Sequence, residues 1–183
     1  MRGWLIRAGL LAVLLVPAIA AAFSPYLEFR DPIYIIAGFA GIAALALLTL
    51  QPVLMLGGAR RWHIWGGVAL VLAVVAHVCG LWLTSPPDVI DALLLRSPTP
   101  FSVWGVIAMA AVFAAALWAM FRRRLGPKRF RSGHGVLVAL AVGATVPHAW
   151  QIEGTMEEAS KFIALAVAVV VTAWALWKRR VFR

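Results

Sequence analysis

Apolar residues run along this chain in long blocks separated by short polar gaps. The blocks fall at about 4–22, 33–50, 63–83, 100–121, 133–152 and 157–177. Each is close to the roughly 20 residues that a helix needs to cross a hydrocarbon core. The pattern predicts an all-α fold, an integral membrane bundle of six transmembrane helices forming a single domain over residues 1–183. The first block also fits a secretory signal peptide, with Arg2 and Arg7 ahead of a Leu/Val run and small residues at Ala18, Ala20 and Ala22. Retention as a helix is the preferred reading, because the spans that follow need packing partners.

The gaps carry the stop and start signals. Pro52 is expected to end the second helix, since proline removes a helical hydrogen bond. Between Thr84 and Pro100 the paired prolines Pro86 and Pro87 interrupt helix, and residues 88–95 are expected to form one short amphipathic turn at the interface, placed to act as a lid. Thr99 and Pro100 read as N-cap and first helical residue of the fourth span. Residues 122–131, RRRLGPKRFR, form a basic connector, and Thr155 with Glu158 has capping-box spacing ahead of the sixth span.

Composition agrees with a bilayer protein: 63% of residues are hydrophobic and 13% charged. The net charge of +10 suggests nucleic acid only until the charges are located. Every lysine and arginine except Arg30, Arg96 and Lys161 lies at the N-terminus, in the 2–3 and 4–5 gaps, or at the C-terminus, while all seven acids lie in the other gaps. Cations favour the cytoplasmic side, so both termini are expected there, in a multi-pass protein of a bacterial-type inner membrane with no nucleic-acid partner. The nine tryptophans fall near block ends, as an interfacial belt requires. The single cysteine, Cys79, lies within a block and excludes an intrachain disulfide; it reads as a small buried hydrophobe.

The candidate chemistry sits in four histidines, the whole complement of the chain. His63 and His77 bracket the third block, and His134 and His148 bracket the fifth, in each case 14 positions apart. Fourteen residues close to within about 40° of four helical turns and rise about 21 Å. Each helix therefore presents two imidazoles on one face, near opposite membrane surfaces. With the third and fifth spans parallel, His63 shares a depth with His134, and His77 with His148. Two facing imidazole pairs suit two six-coordinate haems, which carry electrons rather than bind oxygen.

A lone intramembrane histidine is often a hydrogen-bonded helix contact or part of a proton path. Two equally spaced pairs favour metal ligands. Gly66, Gly67 and Gly80 leave backbone bare one turn from the histidines, where a flat cofactor would press, although close helix packing is the commoner use of such residues. Pro147 frees the Gly143 carbonyl and is expected to bend the fifth span. Arg60, Arg61 and Arg131 flank the inner pair and are candidates to neutralise haem propionates, besides setting topology. On the outer side only Arg96 and Lys161 are available.

The four histidines, the RRW opening of the third span and the stretch LGPKRFRSGH before the fifth resemble the ferric reductase-like transmembrane domain superfamily, over about residues 33–177. That superfamily includes ferric reductases, NADPH oxidases and the haem-binding membrane subunit of a methionine-sulfoxide reductase system. The resemblance implies two haem b groups, the inner on His63 and His134 and the outer on His77 and His148. It departs at Phe130, where members often carry tryptophan. Larger relatives append a flavin and nicotinamide domain, but no dinucleotide-binding G-x-G-x-x-G loop occurs here. Flavin is thus expected only on a separate partner or transiently bound. The implied role is the membrane electron-transfer subunit of an oxidoreductase. It would move electrons from a cytoplasmic flavoprotein reductase or reduced flavin to a periplasmic electron acceptor. The alternatives are a quinol-oxidising cytochrome b-like subunit and a non-haem proton or metal transporter.

Overall fold

The computed structural model describes residues 2–153, 156–179 and 181, the side chains of 2–7, 10, 13 and 14 excepted. Among the described residues the chain is all-helical. Its elements are α1 (Arg2–Ala22), α2 (Pro32–Leu56), α3 (Arg60–Thr84), α4 (Pro86–Leu93), α5 (Pro100–Met120), α6 (Arg122–Leu125), α7 (Pro127–Gln151) and α8 (Glu158–Lys178), with a short 3-10 turn at Pro25–Leu27. Four of these, α2, α3, α5 and α8, are long and apolar enough to cross a bilayer. That makes the chain a multi-pass membrane protein by length and composition, four such helices being established against the six spans expected. Large apolar side chains point outward along them, including Ile36 (67% exposed), Leu72 (62%) and Val170 (65%). So much apolar surface is unusual for a soluble monomer and natural against lipid.

Two hairpins form the body. α2 packs along α3, and α5 along α7; α8 bridges α2 and α7, and α1 lies against α8 and α2. Lipid offers apolar contacts as readily as protein does, so these helices associate through close packing and small interfacial residues. Gly80 shows how close: a Cβ there would sit 2.7 Å from that of Ala37. The core cluster joins Leu45 and Leu48 of α2, Leu70 of α3, Ala111 and Val112 of α5, Ala141 and Val142 of α7, and Ala164, Leu165 and Ala168 of α8. Leu70 and Ala141 each stand midway between the two histidines of their helix. The apolar core therefore separates the two histidine levels.

Several boundaries differ from those the sequence suggests. α2 runs through Pro52 to Leu56, because neighbouring helices and small local adjustments can re-satisfy the backbone that proline frees in a membrane helix. Pro86 and Pro87 interrupt helix as expected, α3 ending at Thr84, and they also open α4, so the short helix begins two residues before the expected 88, since the first helical positions need no N–H donor. The basic connector is itself helical: α6 covers Arg122–Leu125, and after Gly126 (φ 74°) Pro127 opens α7, six residues before the expected start. At its other end α7 runs past Pro147 to Gln151, close to the expected end of the fifth span.

The caps differ too. Thr155 lies outside the described residues, and the N-cap of α8 is Glu157, whose carboxylate accepts from the backbone N–H of Ala159 (2.8 Å) and Ser160 (2.7 Å). Asp31 caps α2 in the same way, accepting from Ile33 N (2.7 Å). Thr99 does precede Pro100 at the start of α5, but its hydroxyl bonds to those of Ser97 and Ser102 instead of capping the helix. Cys79 is exposed on α3 rather than buried.

Candidate metal and cofactor site

The two hairpins bring the histidines together in pairs. His63 faces His134 with ring centroids 6.3 Å apart, and His77 faces His148 at 6.5 Å. The planes in each pair are 79° apart. Because first meets first and second meets second, α3 and α7 run parallel. The rise between the two levels along either helix is about 21 Å.

Backbone carbonyls of the outer helix in each hairpin orient the rings. His77 Nδ1 lies 2.8 Å from the Ala37 carbonyl oxygen, His148 Nδ1 is 2.9 Å from that of Phe101, and His63 Nδ1 is 3.2 Å from that of Gln51. A carbonyl only accepts, so each Nδ1 carries the proton and donates it, which leaves the Nε2 lone pair available. A metal-binding histidine is normally oriented by this kind of contact. His134 is the exception: its Nδ1 is buried without a hydrogen-bond partner, the Ala115 carbonyl being close enough to act on the ring but outside hydrogen-bond geometry. Phe130 stacks on the His134 ring at 5.4 Å instead.

Glycines make these contacts possible. A Cβ on Gly41 would lie 3.0 Å from His77 Nδ1, and one on Gly105 would lie 2.7 Å from both Nδ1 and Cε1 of His148. Both glycines sit one helical turn after the carbonyl that their histidine bonds. The hairpins are thus copies of one plan. Ala37 and Phe101, Gly41 and Gly105, and Gln51 and Ala115 are each 64 positions apart, while His63 and His134, like His77 and His148, are 71 apart. The difference of seven residues is absorbed by the α5–α7 connection, which contains α6. The glycines singled out from sequence do something else: Gly66 and Gly67 lie against the Gln51 side chain and Gly80 against Ala37, so all three face α2 and none is shown turned towards the opposite pair.

Both pairs have the separation that two imidazoles on one metal would take. A metal bonds imidazole nitrogen at about 2.0 Å. In a five-membered ring with sides of about 1.35 Å, each atom is about 1.15 Å from the centre. Two rings gripping one ion from opposite sides would then have centroids about 6.3 Å apart, which agrees with both pairs. Edge-to-face aromatic contact spans the same range, but it gives no reason for the carbonyl that fixes the tautomer. Among the described residues no third His, Cys, Asp or Glu joins either pair. Each site therefore supplies two nitrogen donors, and any remaining positions on an ion must come from a group the chain does not provide. A planar tetrapyrrole is such a group.

Next to the outer pair lies a cavity of about 450 Å³, lined by His77 and His148 and by residues of α2, α3, α4, α5 and α7. That size falls within the usual range for cofactor pockets. Its walls are apolar and small, among them Gly38, Leu45, Val74, Ala108 and Val112. Val89, Ala92 and Leu93 of α4 line one side, so the short helix expected between the third and fourth spans lies against the cavity. Arg60, Arg61 and Arg131 are exposed, two or three residues ahead of His63 and His134. Lys161, in contrast, is buried and lines the cavity. Compared with known proteins, the chain matches no family model, no curated protein and no solved structure.

Proposed function

We propose that this chain is a membrane-embedded dihaem b-type cytochrome that carries single electrons across a bilayer. The observation that carries the reading is the pair of His–His couples at 6.3 and 6.5 Å, with three of the four rings held by a backbone carbonyl and, among the described residues, no third His, Cys, Asp or Glu at either couple. Haem bound between two imidazoles supplies one-electron exchange with no iron position open to oxygen. His63 with His134 would hold the inner group, and His77 with His148 the outer. The carbonyls of Gln51, Ala37 and Phe101 hold their rings in the ligating tautomer. Leu70, Ala141 and the rest of the core keep water from the space between the levels. Arg60, Arg61 and Arg131, exposed two or three residues ahead of the inner histidines, would meet the inner group's carboxylates.

In this reading six helices span, with α1 and α7 joining the four apolar ones; α7 matches α2 and α3 in length although basic residues occupy its first turns. The cation-rich end is cytoplasmic by the positive-inside tendency, which puts both termini inside a bacterial-type inner membrane. A flavoprotein reductase or reduced flavin would be the cytoplasmic donor. Ferric iron, a quinone, oxygen or a partner enzyme would be the periplasmic acceptor. The ferric reductase-like resemblance supports the same assignment and rests on the residues already quoted. A proton or metal transporter would need carboxylates along its path, whereas all seven acids are exposed.

The test is the spectrum of the purified protein. A reducible low-spin b-type spectrum with two haems per chain is expected, with His77→Ala and His63→Ala each removing one of the two. A colourless preparation, or loss of both haems or of neither from a single substitution, would sink the reading.

A further inference from the structure

Lys161 is 5% exposed and lies on the first turn of α8. Its ammonium donates to the carbonyl oxygens of Trp150 (3.3 Å) and Ile152 (2.9 Å), at the end of α7. Carbonyls at a helix C-terminus carry partial negative charge and favour a cation there. Those two bonds account for two of the three N–H groups of an ammonium. Among the described residues no carboxylate pairs with it. The side chain also lines the cavity beside the outer histidines, whose other charged lining residue, Asp88, is exposed and accepts from the Ser85 hydroxyl at 2.6 Å. Burying an ammonium is costly unless its charge is met. Here the carbonyls meet part of that need, and a third donor remains in an apolar pocket.

We propose that Lys161 binds a carboxylate of the molecule filling this cavity, namely a propionate of the outer porphyrin. The inference rests on the haem reading above. It identifies one buried cation as the outer anchor, where sequence alone left Arg96 and Lys161 equal. Arg96 is exposed and does not line the cavity. A charge-assisted bond of this type fixes the in-plane rotation of a flat ligand that two axial nitrogens leave free to turn.

The experiment compares haem-loaded wild-type protein with Lys161→Gln and Lys161→Arg by potentiometric titration and by the propionate bending bands of the resonance Raman spectrum. Glutamine can still donate to the Trp150 and Ile152 carbonyls, so the corner between α7 and α8 stays satisfied while the charge is lost. Reduction lowers the charge on haem by one unit, and a nearby cation opposes the reduced form less than the oxidised one. The glutamine variant should therefore lower one of the two midpoints by about tenfold in equilibrium constant, about 59 mV for one electron. It should also shift one propionate band. Arginine should retain both wild-type values. Unchanged midpoints and bands in a protein that still holds two haems would overturn the Lys161 assignment alone. A shifted midpoint with unshifted bands would overturn it too, leaving Lys161 a helix-capping cation. Wild-type protein without haem would overturn the parent reading and this one together.

Discussion

Gly41 and Gly105 carry more of the site than any residue except the histidines. Each lets an imidazole approach the backbone carbonyl one turn earlier, and each stands too close to its ring to tolerate a side chain freely. In Gly105→Ala the new methyl would lie 2.7 Å from the His148 ring, which must then leave the Phe101 carbonyl or push α5 from α7. Crowding of this kind costs about 1–3 kcal/mol. We expect a lower unfolding temperature and, on the proposed dihaem reading, loss of the outer haem with the inner retained; the smaller 3.0 Å conflict in Gly41→Ala should give a weaker form of the same result. Glu157 illustrates a residue whose effect depends on pH. The backbone N–H groups of Ser160 and Ala159 hold its carboxyl below the usual carboxylate range. The cap thus stabilises α8 at neutral pH and loses that contribution as pH falls through the depressed value. Thermal melts of Glu157→Gln should lie below wild type at neutral pH, and the gap should close on acidification. A constant gap across that range would remove the carboxylate from the account.

At the level of elements, prolines and glycines set where helices begin and how they meet. Gly126 has φ 74° and ψ 159°, a region that is essentially glycine-only. It lets the chain turn from α6 into α7, where Pro127 takes the first helical position. Strain of about 1–3 kcal/mol is expected in Gly126→Ala, with the start of α7 displaced and His134 moved from His63. Chemical denaturation, together with the inner haem signal, would measure both; an unchanged midpoint and signal would show that this turn does not position the pair. Pro52 and the Pro86–Pro87 pair teach the complementary lesson. The same residue type initiates α4, where a first-turn N–H has no intrahelical partner to lose, and passes through α2, where the surroundings must re-satisfy the carbonyl that Pro52 frees.

For the whole molecule, the parallel pairing of α3 with α7 requires that the turn after α2 and the connection containing α6 lie on one side. In a Cys79→Ser background, Gly57→Cys and Arg124→Cys should resist a membrane-impermeant thiol reagent added outside intact cells, while Phe29→Cys and Leu94→Cys should react. Reversal at either pair would overturn the topology. The two hairpins share one plan offset by 64 residues in the outer helix and 71 in the inner, and this repeat is faint in sequence because lipid-facing positions accept almost any apolar residue. Membrane character, the helical class and the matched 14-residue histidine spacing were all legible in the chain, since each depends on composition or on periodicity within one segment. Which helix each glycine faces, the carbonyls that hold the imidazoles, the burial of Lys161 and the helical connector between α5 and α7 were decided only in three dimensions. They depend on where a neighbouring helix comes to lie, and no pattern along a single segment records that.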